Sequence, residues 1–113
     1  MLIEFRVKNY KSFKDWQTLS MVASADKSLP DNTMTVESLG NRRLVRSAVV
    51  YGANASGKSN LVDALHFVYD FVANSTERKP GAEIPAAPFL LSKSTATAPS
   101  EFEISFINDG VRY

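Results

Sequence analysis

The chain of 113 residues contains no cysteine, a single histidine and a single tryptophan. Without cysteine it forms neither a disulfide framework nor a cysteine-ligated zinc site, and this composition fits a reducing compartment. No segment approaches the ~18 consecutive apolar residues of a membrane-spanning helix, and the early charges of Glu4 and Arg6 do not fit a secretory signal peptide. We therefore predict a cytoplasmic protein that does not enter a membrane.

An excess of charge of one sign is also missing. The chain has 13 Lys and Arg residues and 12 Asp and Glu residues, which leaves a net charge of +1. This balance does not predict binding to nucleic acid, an anionic membrane or an acidic substrate. The apolar fraction of 44% and the charged fraction of 22% are those of an ordinary globular domain. Composition thus excludes disordered and fibrous classes without indicating a partner.

The first half of the sequence predicts strands. Ile3, Phe5 and Val7 alternate with polar residues, which is the period of a half-buried strand. The apolar run at 44–51 predicts a buried core strand that leads into the next motif. Further strands are expected at 16–22 and 35–36, and a polar loop at about 24–33.

The second half predicts a helix and a hairpin. Apolar residues at three- and four-residue spacings predict a helix over 58–73 that is wet only on a narrow strip. The last residues predict a strand, an Asn-Asp-Gly turn and a returning strand. Because proteins rarely stop just after such a turn, we expect residues 1–113 to be the N-terminal portion of one larger domain. Polar loops are expected at about 74–88 and 92–100.

Between the predicted core strand and the predicted helix stands GANASGKS, residues 52–59. It fits the phosphate-loop pattern G-x-x-x-x-G-K-[ST] at every fixed position, and a strand before and a helix after it are the context that this motif requires. Glycines let successive backbone N–H groups turn toward a phosphate, and the helix adds its positive end. The motif therefore predicts binding of a nucleoside triphosphate with its metal.

Each residue type in the loop has a role in that chemistry. Lys58 is expected to contact the β- and γ-phosphates and is the candidate catalytic residue, and the Ser59 hydroxyl is expected to ligate Mg²⁺. ATP and Mg²⁺ are the expected cofactors. The residues expected to bind the nucleotide in and beside the loop are Gly52, Ala53, Asn54, Ala55, Ser56, Gly57, Lys58, Ser59 and Asn60.

Two stretches resemble a known class of ATPase. Residues 2–13 (LIEFRVKNYKSF) are similar to the opening strand, and residues 49–65 (VVYGANASGKSNLVDAL) to the phosphate-loop stretch, of the ABC-type heads in SMC, RecF and OLD-like proteins. Within that class the sequence is most similar to bacterial AAA-family ATPases of the RloA or abortive-infection type. Ala55 departs from the glycine of many relatives, and its added methyl group is small.

The resemblance implies an α/β P-loop NTPase fold, in which a strand-rich front layer precedes the core strand, phosphate loop and helix. It places Asn54 near the γ-phosphate, and Lys11 and Ser12 where the end of the opening strand approaches the nucleotide. It also implies that two heads form a homodimer, that hydrolysis occurs between them, and that this activity serves phage defence or a DNA-related process with a nuclease or toxin as partner. DNA itself is a further partner to consider.

Other functional classes remain open. The protein could instead be the nucleotide-binding subunit of an ABC transporter, or a non-catalytic nucleotide-sensing module. A GTPase is not indicated because the guanine-reading N-K-x-D motif is absent from these residues, and 51 residues before Gly52 are more than a small-molecule kinase of this type usually has.

Some residues invite a functional interpretation that we do not favour. Asp109 is expected at a hairpin tip rather than in a metal site, and His66 is expected to be a packed or edge residue rather than a base. Two basic groups could suit nucleic acid or nucleotide, but the net charge of +1 argues against a nucleic-acid surface. These groups are Lys8, Lys11 and Lys14, and Arg42, Arg43 and Arg46.

Overall fold

A computed structural model describes residues 1–53 and 56–113 of the chain. In this part, strands β2, β1, β5 and β6 follow one another in a four-stranded sheet, and β3 pairs with β4 in a second, antiparallel sheet. The elements in chain order are β1 (Leu2–Lys8), β2 (Gln17–Ser20), β3 (Thr33–Val36), β4 (Arg42–Val45), α1 (Lys58–Ala73), α2 (Lys93–Ala96), β5 (Glu101–Asn108) and β6 (Val111–Arg112), with short 3₁₀ helices at Pro30–Asn32 and Glu37–Leu39.

The chain divides into two compact units, and β1 and β5 contribute residues to both. The first unit contains Met1–Arg6, Thr18–Val50 and Glu103–Tyr113, and the second contains Val7–Gln17 and Tyr51–Phe102. The whole phosphate loop and α1 therefore belong to the second unit.

Strand β1 confirms the predicted alternation. Ile3, Phe5 and Val7 are buried, whereas the polar residues between them are partly exposed. A strand turns successive side chains to opposite faces, so one apolar face can be covered while the other meets water. The predicted strands at 16–22 and 35–36 are present as the shorter β2 and as part of β3.

The prediction of a buried core strand over 44–51 is wrong beyond Val45. Strand β4 ends there, Leu44 is fully buried, and Val49 and Tyr51 are 85% and 88% exposed. The reason is that an apolar run becomes a core strand only when a neighbouring strand pairs with it. Here the backbone N–H of Arg46 donates to Asn32 O at 2.7 Å, and the segment then leaves the sheet.

Helix α1 confirms the predicted bounds but not the predicted burial. Among its residues only Ala64 is fully buried, and Val62, Tyr69 and Val72 are 64%, 71% and 68% exposed. Within the second unit the packed side of the helix is aromatic. The ring of Phe67 lies 5.0 Å from that of Phe102 and 5.8 Å from that of Tyr10. The apolar spacing thus predicted the helix correctly, but it did not predict that Val62, Tyr69 and Val72 lie on an exposed side.

The C-terminal hairpin is confirmed. Asp109 and Gly110 both have positive φ, at 49° and 77°, and they join β5 to the antiparallel β6. Two such residues in a two-residue connection are typical of the type I′ turn that follows strand twist. Asp109 therefore serves the turn, as expected.

The predicted loops need small corrections. The loop at 24–33 includes the 3₁₀ helix Pro30–Asn32, and the loop at 92–100 includes the one-turn helix α2. Residues 74–88 contain no helix or strand, as predicted. None of the helices in residues 1–53 and 56–113 is both long and apolar enough to cross a membrane.

Candidate functional site

The phosphate-loop sequence leads directly into the first turn of α1. Gly57 is the N-cap residue at φ 94°, and Lys58 is the first helical residue. The N-cap residue makes no side-chain hydrogen bond, and the first turn, which the structure describes completely, contains no acidic residue. The start of a helix presents backbone N–H groups and the positive end of the helix dipole, and both favour an anion.

Gly57 is required at its position for two separate reasons. Its φ of 94° is one that residues with a side chain rarely adopt. In addition, a Cβ placed on Gly57 would lie 2.9 Å from Phe13 Cε1 and 3.2 Å from Ser12 Oγ. The end of the loop is thus in close contact with the turn that follows β1.

Gly52 occupies the other end of the loop. A Cβ on this residue would lie 3.0 Å from Ser56 Oγ and 4.0 Å from Lys58 Nζ. Because Gly52 has no side chain, Ser56 Oγ and Lys58 Nζ can both lie close to its backbone. A cradle of this kind fits a phosphate group, because hydroxyl, ammonium and backbone N–H groups all donate hydrogen bonds.

Lys58 turns its side chain back into the loop. Its Nζ donates to the carbonyl oxygens of Gly52 and Ala53, the latter at 2.6 Å, and lies 3.4 Å from Ser56 Oγ. The ammonium group is thus placed within the loop by neutral acceptors. A phosphate oxygen carries a formal charge and is a stronger acceptor for this group than a carbonyl oxygen.

The predicted metal ligand and the centre of the loop can be placed only in part. Ser59 is exposed on the first turn of α1, and its predicted contact with Mg²⁺ stays a prediction. Within residues 1–53 and 56–113, no group of three or more acidic or histidine side chains could hold a metal by itself. Asn54 and Ala55 lie outside the described residues, so their predicted contacts remain predictions.

Asn60 does not point to the loop in this structure. Its side-chain Nδ2 donates to Ser12 Oγ at 2.7 Å. Asn60 was predicted to bind nucleotide from its place beside the motif, and the structure instead shows it holding the turn after β1. Its predicted contact with nucleotide is untested.

Comparison with protein families agrees with this geometry. The family model described as "AAA domain, putative AbiEii toxin, Type IV TA system" matches residues 47–113, which is more than half of the chain. The chain belongs to this AAA-domain family. No curated protein matches, and no solved structure does either. The match covers the phosphate loop and α1, and it supports a P-loop fold and nucleotide binding at the level of the family.

The side chain of Lys11 contacts α1. Its Nζ lies 2.5 Å from Asp63 Oδ2 and 5.6 Å from the centre of the Tyr10 ring. The hydrogen bond to Asp63 raises the pKa of Lys11, so the side chain stays charged at neutral pH. Its predicted contact with nucleotide is untested. What the structure shows is an ion pair one turn beyond the loop.

Asn9 is a residue whose importance sequence reasoning missed. It is 1% exposed, and its Nδ2 lies within hydrogen-bond distance of the carbonyl oxygens of Thr95 (2.8 Å), Ala98 (2.9 Å) and Pro99 (3.2 Å). Its Oδ1 accepts from Phe89 N at 3.0 Å. The signal available in the sequence was an asparagine directly after a strongly alternating strand. Asparagine adopts positive φ more readily than most residues, and Asn9 has a φ of 51°.

Lys8 and Arg43, one from each basic group, make side-chain hydrogen bonds within the chain. Lys8 Nζ lies 2.9 Å from Glu101 Oε1 and 5.8 Å from the centre of the Trp16 ring. In the first unit, Arg43 donates to the carbonyl oxygens of Ser24 and Asp26. His66 is exposed on α1. These contacts give Lys8 and Arg43 structural roles, and binding of nucleic acid by the two basic groups is untested.

Proposed function

We propose that this AAA domain binds ATP with Mg²⁺ at residues 52–59, and that in a dimer of complete heads the bound ATP is hydrolysed. The observation that carries the proposal is the position of Lys58. Its ammonium group lies among the loop carbonyls and beside Ser56 Oγ, directly before an uncapped helix end. Membership of the AAA-domain family supports the same conclusion.

The described residues supply several of the groups that a triphosphate requires. Backbone N–H groups at the start of α1 would hold the phosphate oxygens, and Lys58 would move from its carbonyl partners to the β- and γ-phosphates. The Ser59 hydroxyl would ligate Mg²⁺, which neutralises phosphate charge when bound. Gly52 and Gly57 keep the loop free of side chains that would obstruct it.

Hydrolysis requires groups that these residues do not bring to the loop. An attacking water must be oriented by a carboxylate or glutamine, and the metal needs a further acidic ligand. Asp63, the carboxylate nearest to the loop in the sequence, is paired with Lys11 at 2.5 Å. For this reason we infer that catalysis depends on parts of a head beyond residues 1–113 and on a second head.

The family and the resemblance together support a proposal for the biological role. The family description names a toxin and a type IV toxin–antitoxin system. The similarity of residues 2–13 and 49–65 to ATPases of the RloA, OLD and SMC classes favours phage defence or a DNA-related activity. We therefore propose an ATP-dependent defence protein of cytoplasmic location whose partner is a nuclease or toxin.

Lys58→Ala tests the binding site. We expect the variant to bind ATP·Mg²⁺ about 10- to 100-fold more weakly than the wild-type chain in a calorimetric titration, because a charged donor to phosphate is lost. Lys79→Ala is the matched control, since Lys79 is an exposed lysine of the same unit in the loop after α1. Equal affinity of the wild type and Lys58→Ala would disprove the proposed site.

A non-catalytic nucleotide sensor is the second candidate. It is favoured by the absence, within residues 1–53 and 56–113, of an acidic cluster suited to a metal. A dimeric complete protein that binds ATP but releases no phosphate would identify such a sensor. Phosphate release that Lys58→Ala abolishes would identify an ATPase.

A further inference from the structure

The turn after β1 is an unusual piece of backbone. Residues 9–13 form it, and we call them the β1 turn. Tyr10 and Phe13 pair with each other through both backbone N–H groups, at 3.0 and 2.9 Å, so that Lys11 and Ser12 form the tip. Asn9 and Lys11 have positive φ values of 51° and 49°. Such values carry an energetic cost in residues other than glycine, so surrounding contacts must maintain the conformation.

One side of the β1 turn is held by the segment that precedes β5. The buried Asn9 side chain bonds to backbone groups between Phe89 and Pro99, and Ser100 Oγ donates to Asn9 O at 2.5 Å. The backbone N–H of Lys11 also donates to Ala87 O at 2.7 Å. These bonds hold the turn independently of its contacts with the phosphate loop.

The other side of the β1 turn meets the end of the phosphate loop. Phe13 Cε1 and Ser12 Oγ lie where a side chain on Gly57 would be, at 2.9 and 3.2 Å from an added Cβ. Ser12 Oγ also accepts the hydrogen bond from Asn60 Nδ2 at 2.7 Å. Asn60 lies on the first turn of α1, so the β1 turn contacts both the N-cap residue and the first turn of the same helix.

We propose that Ser12, Phe13 and Asn60 are positioning residues that hold Gly57 and the first turn of α1 in the conformation that binds phosphate. The inference rests on the proposed ATP site. None of the three residues needs to contact ATP. Ser12 and Asn60 act through their mutual hydrogen bond, and Phe13 acts by filling the space beside Gly57 that a Cβ would occupy.

The geometry explains why such positioning matters for this loop. Gly57 is the N-cap residue and makes no side-chain cap, and its carbonyl accepts the first helical bond from Leu61 N at 3.0 Å. Because glycine has the greatest backbone freedom, an unsupported Gly57 would lose most entropy on ordering. Contacts from the β1 turn reduce this freedom before a ligand arrives, which lowers the cost of binding.

Ser12→Ala and Ser12→Thr together test the proposal in the 113-residue chain. Alanine removes the acceptor for Asn60, whereas threonine retains the hydroxyl. We expect Ser12→Ala to weaken ATP·Mg²⁺ binding about three- to tenfold, and Ser12→Thr to restore it. Asn60→Ala should match Ser12→Ala, and the double variant should be no weaker than either single variant, because both remove one bond.

Amide hydrogen exchange at Leu61, measured without nucleotide, gives a second readout. Because Leu61 N–H donates to Gly57 O, we expect Ser12→Ala to speed its exchange by a similar three- to tenfold factor while the midpoint of thermal unfolding stays unchanged. Thr76→Ala is the control, since Thr76 is exposed in the loop after α1. Its affinity and its Leu61 exchange should equal those of the wild type.

The outcomes separate this inference from the proposed site. If Lys58→Ala loses ATP and Ser12→Ala does not, the site stands and the positioning role is overturned. Unchanged exchange at Leu61 in Ser12→Ala overturns it as well, and so does an affinity loss that Ser12→Thr fails to restore. If the wild-type chain binds no ATP, the proposed function fails and the role in phosphate binding fails with it.

Discussion

At the scale of single residues, two glycines of the second unit are subject to different constraints, one in the phosphate loop and one in the loop after α1. Gly57 and Gly81 both have positive φ, at 94° and 83°. An added Cβ on Gly81 would meet nothing within 4 Å, whereas one on Gly57 would press on Phe13. The two positions therefore allow backbone strain and steric contact to be measured separately within the same unit.

Gly57→Ala is expected to be much more harmful than Gly81→Ala. Gly81→Ala should cost about 1 kcal/mol of unfolding free energy, because alanine disfavours positive φ, and should leave ATP binding unchanged. Gly57→Ala adds the contact with Phe13 and should weaken ATP binding by at least about tenfold. Urea unfolding and calorimetric titration measure the two effects.

Phe13→Ala in the Gly57→Ala background shows whether the contact is responsible. Removal of the ring eliminates the nearest atom, at 2.9 Å, so Gly57→Ala should cost less unfolding free energy in the Phe13→Ala background than in the wild type. The ATP affinity should stay low, because positive φ at residue 57 still disfavours alanine. Phe13→Ala alone is the reference, since loss of the ring has its own cost. An equal cost of Gly57→Ala in both backgrounds would show that Phe13 does not restrict position 57.

At the scale of elements, the β1 turn depends on Asn9 more than on any ion pair. Asn9 combines full burial, a φ of 51° and hydrogen bonds from both ends of its amide. Lys11 and Asp63, in contrast, form a partly exposed pair, with side chains 35% and 49% accessible. Exposed pairs contribute little to stability, whereas buried polar groups left without partners are costly.

Asn9→Ala should therefore destabilise the chain by about 2 to 4 kcal/mol in urea unfolding, since it removes the partner of several partly buried backbone groups between residues 89 and 99. Asn41→Ala is the matched control, because Asn41 also has positive φ, at 59°, but is exposed. That control should cost only about 1 kcal/mol. Similar losses in both variants would show that the hydrogen bonds of Asn9 contribute nothing.

Sequence reasoning succeeded where a pattern is local. The period of β1, the bounds of α1 and the Asp109–Gly110 turn depend on neighbouring residues and were predicted correctly. The strand predicted at 44–51 failed beyond Val45, because burial of Val49 and Tyr51 depends on partners distant in sequence. Within the site, the loop motif was visible in the sequence.

The contacts of the site with distant residues were not visible in the same way. The bonds of Asn60 to Ser12 and of Lys11 to Asp63 join residues 48 and 52 positions apart. No spacing rule on one helix or strand brings such residues together, since the fold decides which segments meet. Sequence therefore predicted the phosphate-loop residues, and the structure added the contacts that these residues' neighbours make with distant segments.

At the scale of the whole molecule, the proposed ATP site joins a phosphate-loop motif to residues that contain few candidates for activating water. The chain has one glutamine, Gln17, at the start of β2. In the part that the structure describes, no group of acidic side chains is suited to a metal. Binding and hydrolysis should therefore be separable in this protein, because the two steps use different residues.

We accordingly expect the 113-residue chain to bind ATP·Mg²⁺ in a Lys58-dependent manner and to release phosphate no faster than Lys58→Ala does. An assay of phosphate release at saturating ATP measures this, with the titrations above showing that the site is filled. A lysine at the position of Lys58 would stabilise charge on the transferred phosphoryl group. It would not orient the water that supplies the attacking oxygen, so binding can occur without hydrolysis. Phosphate release by the wild-type chain well above that of Lys58→Ala would mean that these residues already contain a water-activating group, with the Asp63 carboxylate, freed from Lys11, as the first residue to substitute.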